Sequence, residues 1–177
     1  MLRSNSLHLR AVEPLDAEFM YDVENDAQSW RYSDTIAPLS KKILYDYAET
    51  YDADPFSAGQ LRLIITEKGK EVPVGIVDLY DISQRHKRGW IGIYILKPYR
   101  GKGYAEEALQ LVEDYAHNTL HLHQLGAKVE IGLPKSLKLF TDRGYEIKGL
   151  MNEWLSLPDG SYTDLQILTK KLGNKES

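Results

Sequence analysis

The sequence contains no cysteine, which excludes disulfides, a thiolate nucleophile and any metal site with cysteine ligands. It also lacks any apolar run near the roughly 20 residues that a membrane-spanning helix needs. Positive charge is not in excess, because 22 Lys and Arg face 26 Asp and Glu, for a net charge of -4. That balance argues against general affinity for nucleic acid or an anionic membrane. We expect a cytoplasmic protein with neither of these partners.

The composition is that of a globular protein. Hydrophobic residues make up 42% and charged residues 27% of the 177 residues, which suits one domain of ordinary size. We see no internal repeat and no low-complexity linker. The sequence therefore predicts a single domain over 1–177, with a polar, frayed tail from about residue 172.

Hydrophobic periodicity and turn residues predict alternating strands and helices. The first helix is expected to bury Leu15, Phe19 and Val23, and the second to bury Ile43, Leu44 and Tyr47. The segment DADPFSAGQ is expected to be a loop. This order indicates an α/β (α+β) domain with helices packed on a sheet. The predicted strands are 7–12, 61–66, 72–82, 89–96, 125–131, 145–155 and 162–172, and the predicted helices are 15–23, 40–51, 104–120 and 135–143.

The stretch IGIYILKPYRGKGYAEEAL, at 91–109, ends a strand and opens a helix. The first amide groups of a helix have no partner inside it and lie at the positive end of its dipole. Gly101 and Gly103 let the backbone bend and let an anion approach, while Arg100 and Lys102 add charge. The stretch can therefore hold a phosphate or pyrophosphate. A plain turn is the alternative, since neither GxGxxG nor a Walker-type GK[ST] is present.

The longer context resembles a known family. The strand, Pro98, the run Arg100-x-x-Gly103-x-Ala105 and the amphipathic helix resemble motif A of the GNAT acetyltransferases. SLKLFTDRGYEIKG is similar to that superfamily's last helix and the strand after it. NEWLSLPDGSYTDLQIL and LHLRAVEPLDAEFMYDVEND resemble the terminal hairpin and the first strand and helix of its RimJ/RimL and spermidine N-acetyltransferase branches. The resemblance implies a GNAT fold, with a central mixed, mostly antiparallel sheet of about six to seven strands and about four helices.

The resemblance implies an enzyme that uses acetyl-CoA as cosubstrate and acetylates an amine by direct attack on the thioester. In this family the strand before the turn splays from its neighbour and pairs with the pantetheine arm. The amides after it hold the pyrophosphate. Carried onto this sequence, the cofactor-binding residues are Ile93, Tyr94, Ile95, Arg100, Gly101, Lys102, Gly103, Tyr104, Ala105 and Ser136.

Two positions depart from the family pattern. The tyrosine that protonates the leaving thiolate in the spermidine branch is replaced by Phe140, and an asparagine that binds the cofactor arm is replaced by Leu133. Three readings stay open. The thiolate leaves unassisted or through water, Tyr94 or Tyr104 serves as the acid, or the chain binds CoA and catalyses poorly.

A carboxylate can remove the amine's proton, directly or through water. Asp78 and Asp81 lie on the strand 72–82, and Asp81 matches an acidic position of the spermidine branch. Residues three apart on a regular strand face opposite sides, so both reach one site only if a bulge intervenes. The alternative is that each faces solvent. The candidate catalytic residues are Asp81, Asp78 and Tyr94.

The implied acceptor is a small amine, with a polyamine or diamine such as spermidine as the leading candidate. A protein N-terminus, an aminoglycoside-like amine and a CoA-binding module with little or no catalysis are the alternatives. The spermidine branch has paired glutamates in a loop that here reads SDTIAP, with only Asp34. The resemblance also implies a homodimer. No metal is expected, because His117, His121 and His123 fit the end of a helix better than a metal site.

Overall fold

The computed structural model describes residues 2–26, 37–51 and 54–173. Within these ranges eight strands form one sheet in the order β1-β2-β3-β4-β5-β6-β8-β7. Among the strands that the structure describes, β5 and β6 are the pair that runs parallel. None of the helices in these ranges is long and apolar enough to cross a membrane. The strands are β1 Leu2–Arg3, β2 Leu7–Ala11, β3 Gln60–Glu67, β4 Pro73–Ser83, β5 Arg88–Ile95, β6 Gln124–Glu130, β7 Glu146–Ser156 and β8 Tyr162–Lys171, and the α-helices are α1 Ala17–Glu24, α2 Lys41–Glu49, α3 Pro55–Ala58, α4 Tyr104–Asn118 and α5 Pro134–Asp142.

This architecture confirms the predicted mixed, mostly antiparallel sheet with helices packed on it. Two short elements were missed. The strand β1 has two residues, too few to show a period. The helix α3 lies in the segment expected to be a loop. It begins where the Asp54 carboxylate accepts a hydrogen bond from the N–H of Phe56, with Pro55 in the first turn.

The sheet separates two hydrophobic clusters, because successive side chains of a strand face opposite sides. Ile64 of β3 and Ile76 of β4 pack with α1 and α2. Their neighbours Ile65 and Val77 pack in the cluster that includes α4. The side chains of β3 and β4 therefore belong alternately to an α1/α2 face and an α4 face of the sheet.

The predicted inward positions of Leu15 and Ile43 are wrong, since these side chains are 91% and 54% exposed. Pro14–Asp16 forms a 3-10 turn, and it is the carboxylate of Asp16 that is buried. Arg10 donates two hydrogen bonds to that carboxylate, at 2.7 and 2.8 Å. The Ser40 cap places Ile43 on the first turn's outer side. The residues buried instead are Ala17, Met20 and Val23 of α1, and Leu44 and Ala48 of α2.

A buried carboxylate joins α4 to the C-terminal elements. Glu113 is only 4% exposed, and one of its oxygens accepts hydrogen bonds from Arg143 at 2.6 Å and Lys170 at 2.7 Å. Burial and the proximity of Glu113 raise the pKa of the Tyr145 hydroxyl above its usual range. Two cations offset the cost of burying the carboxylate, so loss of either cation would destabilise the fold.

Leu172, at the start of the expected frayed tail, is packed in the fold. Leu172 is buried in the main cluster, and its N–H donates to the carbonyl of His123 at 2.8 Å. Residues 174–177 lie outside the described residues.

Gly75 provides a test of how closely β4 and β5 approach. A Cβ at this position would lie 2.4 Å from the Tyr94 carbonyl oxygen and 2.8 Å from Ile95 Cδ1. We expect Gly75→Ala to lower the free energy of unfolding in urea by about 1–3 kcal/mol, because a backbone atom cannot yield.

Gly149→Ala is the matched control, since a Cβ there meets nothing within 4 Å. We expect its unfolding free energy to stay within about 0.5 kcal/mol of the wild type. Equal losses in the two variants would contradict the close approach at Gly75.

Candidate active site

The strand β5 has a paired edge and a partly open edge. Its pairing with β6 covers Arg88 to Trp90 and ends at Trp90 opposite Gly126. Its pairing with β4 continues to Ile95 opposite Gly75. Residues 91–95 therefore have no β6 partner. Since unpaired strand edges present N–H and C=O groups to any extended ligand, the gap between the strands is a slot for one. The predicted arm residues Ile93, Tyr94 and Ile95 line this edge.

The slot leads to the glycine turn before α4. Gly101 and Gly103 have φ angles of +78° and +79°, a conformation that side chains with a Cβ rarely adopt. A Cβ at either position would meet nothing within 4 Å. The glycines thus serve the backbone conformation and leave the space outside the turn open. The first amides of α4 begin at this open space, which fits the predicted diphosphate site.

The two cations of the turn both make contacts inside the protein. Arg100 Nε donates to the Ile95 carbonyl oxygen at 2.8 Å, and its guanidinium carbon lies 5.5 Å from the centre of the Tyr94 ring. Lys102 Nζ lies 5.0 Å from the ring centre of Tyr99 and 5.7 Å from that of Tyr104. Arg100 therefore connects the turn to the end of the slot.

Glu67, which the sequence did not mark, stands beside the turn. Its carboxylate accepts a hydrogen bond from the Tyr104 hydroxyl at 2.6 Å, pairs with Lys70 and lies 3.9 Å from Lys102. Hydrogen bonds from Lys70 and Tyr104 lower the pKa of Glu67. The same bond raises the pKa of Tyr104, since its proton is held by a carboxylate. Tyr104 is therefore a weaker acid than a free tyrosine.

Asp78 is held in an ion pair on the α1/α2 face. Both of its oxygens accept hydrogen bonds from the Arg62 guanidinium, at 2.8 and 2.9 Å, and Glu24 accepts another at 2.6 Å. Burial alone would lower the pKa of Arg62, but Asp78 and Glu24 outweigh it and raise the pKa above its ordinary value. Both oxygens of Asp78 are therefore engaged by a permanent cation.

Asp81 lies at a bulge, which is the condition under which both carboxylates reach one site. The β4–β5 register shifts between Tyr80 and Ser83, and Asp81 has a φ of +48°. Its Oδ2 accepts hydrogen bonds from Arg88 at 3.1 Å and from the Trp90 indole N–H at 3.2 Å. Trp90 shares a sheet face with Gly92, the partner of Asp78. With 62% of its side chain exposed, Asp81 is open to water.

The positions that depart from the family pattern lie at α5. Phe140 is buried, and its ring meets that of Tyr145 edge to face, with centroids 5.0 Å apart. Leu133 precedes the first residue of α5 and makes no side-chain cap. Ser136 lies in the first turn, partly buried. A core ring at 140 explains why a phenylalanine is stable there.

Several predicted features fall elsewhere. Asp34 and most of the loop SDTIAP lie outside the described residues. Within the described ranges, no group of three or more His, Asp or Glu is placed to hold a metal ion. The sequence did not identify Arg62 or Glu67, because their roles depend on strand register and on the contact between β3 and the turn.

Arg62 provides the test of the charged cluster. We expect Arg62→Met to lower the free energy of unfolding by about 1–3 kcal/mol, since it leaves the half-buried carboxylates of Asp78 and Glu24 without their shared cation. Lys42→Met, which removes an exposed ion pair to Asp46 at 2.7 Å, should cost less than about 0.5 kcal/mol. Urea unfolding measures both. Equal costs would show that the cluster contributes no more than a surface pair.

Comparison with known proteins gives the family that the sequence resembles. The model of a family described as "Acetyltransferase (GNAT) domain" matches residues 6–146. The spermidine N(1)-acetyltransferase of Vibrio cholerae serotype O1 is 26% identical over 183 residues, 97% of this chain and 98% of that protein. A crystal structure of spermidine N-acetyltransferase from Vibrio cholerae with CoA and spermine has a TM-score of 0.85 at 24% identity, covering 96% and 97% of the two chains. A dodecameric structure of spermidine N-acetyltransferase from Vibrio cholerae has a TM-score of 0.79 at 24% identity, covering 95% of each chain. The chain belongs to the acetyltransferase (GNAT) family.

Proposed function

We propose that this protein is an acetyl-CoA-dependent N-acetyltransferase that acetylates a primary amine, with a polyamine such as spermidine as the leading acceptor. The observation that carries the proposal is the slot beside β5, which opens after Trp90 and leads to the turn at Gly101 and Gly103. An extended arm with a diphosphate at one end has the shape and charge that these two features accept.

Different groups along the slot bind different parts of acetyl-CoA. Backbone groups near Ile93, Tyr94 and Ile95 hold the arm, and the amides from Gly101 to Ala105 hold the diphosphate. Arg100 aligns the two parts through its bond to the Ile95 carbonyl. Ser136 adds a hydroxyl from α5. A bound acetyl-CoA would supply the thioester carbonyl that the amine attacks.

Proton transfer falls to the residues on the α1/α2 face. Asp81 is the better candidate to remove the amine's proton, through water, because it is exposed while Asp78 is occupied by Arg62. Asp78 then serves to place Arg62 and Glu24. For the leaving thiolate, Phe140 has no proton to give and Tyr104 donates its proton to Glu67. We therefore propose that water, or the Tyr94 hydroxyl, protonates the thiolate.

The acceptor class rests on a relative that spans 97% of the chain, the spermidine N(1)-acetyltransferase of Vibrio cholerae. We do not extend polyamine control to this chain, since its loop SDTIAP lacks the paired glutamates of that branch.

We also propose a cytoplasmic homodimer. The edge strand β7 exposes the large apolar side chains Ile147, Leu150 and Trp154, and such a patch on a sheet edge favours contact between subunits. The dodecamer formed by the Vibrio cholerae relative makes larger assemblies of the same edge a second possibility.

Thiol release from acetyl-CoA tests the function. We expect the wild type to release CoA thiol when spermidine is added, and less with short peptides or aminoglycosides. Phe140→Tyr should leave kcat within about threefold, less than 1 kcal/mol, if water completes the reaction.

Turnover only in the Tyr variant would show that the missing acid limits catalysis. Binding of CoA by calorimetry without turnover of any amine, in either protein, would favour a CoA-binding module over an enzyme.

Gly103 tests the diphosphate site separately from the chemistry. We expect Gly103→Ala to weaken CoA binding about tenfold, near 1.4 kcal/mol, because it strains the turn and crowds the anion. Calorimetric titration with CoA measures this.

Gly160→Ala is matched in strain, since Gly160 has a φ of +82° and open space around it in the β7–β8 turn. Both variants should lose about 1–2 kcal/mol of stability, but only Gly103→Ala should lose CoA affinity. Unchanged affinity in Gly103→Ala would place the diphosphate elsewhere.

A further inference from the structure

An ammonium group already lies on aromatic rings beside the slot. Lys128 Nζ of β6 is 4.8 Å from the centre of the Trp90 ring and 5.8 Å from that of Tyr80. Both distances are within the range at which a ring face attracts a cation. In the part of the chain that the structure describes, no carboxylate pairs with Lys128. Lys128 is exposed, so these rings share the stabilisation of its charge with water.

The Trp90 ring is fixed in place from two sides. It lies so close to Gly126 that a Cβ there would come within 2.6 Å of ring carbons. Its indole N–H donates to Asp81 Oδ2. Tyr80 stands directly opposite Trp90 in the β4–β5 register. The Trp90 ring is therefore preorganised, and a cation that leaves it can be replaced by another without movement of that ring.

The ring pair lies at the end of the slot away from the glycine turn, which is where the proposed function places the thioester and the acceptor amine. Trp90 and Gly126 are the last paired residues before β5 and β6 part. The next residue of β5 on the Trp90 face is Gly92, where an added Cβ would meet only Tyr80, at 3.8 Å. Gly92 is also the partner of Asp78. The rings therefore border open space next to both candidate carboxylates.

The charges around this space nearly cancel. Arg62 is shared by Asp78 and Glu24, and Asp81 is paired with Arg88. The buried carboxylate of Glu130 lies two residues from Lys128 on β6 and adds a further negative charge. The unpaired cation among these groups is Lys128, and an ammonium brought to the same rings would meet its positive charge. The repulsion grows with the charge of the incoming molecule and weakens with salt.

We propose that the ring pair of Tyr80 and Trp90 is the cation subsite for the acceptor amine, and that Lys128 is a specificity-determining residue that occupies it. An acceptor ammonium must displace Lys128 to reach the rings. A monoamine displaces it at lower cost than a polyamine does, so Lys128 disfavours multiply charged acceptors. This inference rests on the proposed function, since it assigns a subsite for the amine.

The test compares Lys128→Met with Lys128→Arg, because methionine keeps the length and removes the charge while arginine keeps the charge. We expect Lys128→Met to lower the KM for spermidine about three- to tenfold with little change in kcat. The KM for a monoamine of similar length should fall less. Lys128→Arg should resemble the wild type, and the gain in Lys128→Met should shrink as NaCl is raised.

Lys148→Met controls for the change in net charge, since Lys148 is exposed on β7 and pairs only with Glu146 among the described residues. Its KM values should match the wild type. An unchanged or higher KM for spermidine in Lys128→Met would overturn the proposal, as would an equal gain in Lys148→Met.

Binding separates this inference from the proposed function. In a protein whose other two tryptophans, Trp30 and Trp154, are replaced by phenylalanine, emission from Trp90 reports an amine at the ring pair without any catalysis. Tighter spermidine binding in Lys128→Met, without thiol release, would retain the subsite and refute the enzyme. Thiol release with no effect of spermidine on Trp90 emission would retain the enzyme and refute the subsite.

Discussion

Strand β5 has two partners where it starts and one where it ends, and the proposed chemistry depends on that change. The Trp90 ring packs on Gly126 at the last shared pair. Beyond it, β6 continues with β8 alone while β5 continues with β4. A sheet without this parting would satisfy the edge of β5 internally, and no extended ligand could pair with it. Among the described strands, the parallel pair of β5 and β6 is thus also the place where the sheet opens.

Around the slot, charges are held in compensated groups. Arg62 donates hydrogen bonds to two carboxylates, and Asp81 accepts from Arg88 and the Trp90 indole. Glu67 accepts from Tyr104, pairs with Lys70 and lies 3.9 Å from Lys102. These groups fix side chains that a ligand will meet, so little ordering remains for binding to achieve. They also decide which residues remain for catalysis. Asp78, with both oxygens on a guanidinium, mainly holds Arg62 in place. Asp81, exposed at a bulge, is open to water.

The sequence predicted the elements better than the contacts between them. Seven strands, four helices and the glycine turn follow from period, caps and turn residues, all of which are local. Leu15 and Ile43 were assigned inward because the period alone does not show where a helix begins, and here the buried Asp16 and the Ser40 cap set the phase. Arg62, Glu67 and Lys128 were not identified, because their partners lie on other elements of the fold. The register between two strands cannot be deduced from the sequence of either strand alone. The sequence left open whether Asp78 and Asp81 reach one site, with a bulge as the condition. The register shift near Asp81 provides such a bulge, and a shared role in catalysis stays a prediction.

Glu67 has a consequence for the speed of the catalytic cycle. An acyl transfer that leaves CoA in the slot is complete only when CoA departs, and in many enzymes this departure sets the rate. In the proposed diphosphate site, a carboxylate 3.9 Å from Lys102 would draw that ammonium away from a bound diphosphate and would repel the diphosphate itself. It would therefore lower the affinity for acetyl-CoA and for CoA alike. Where acetyl-CoA saturates the site, the lower affinity would cost little activity, and CoA would leave the site sooner.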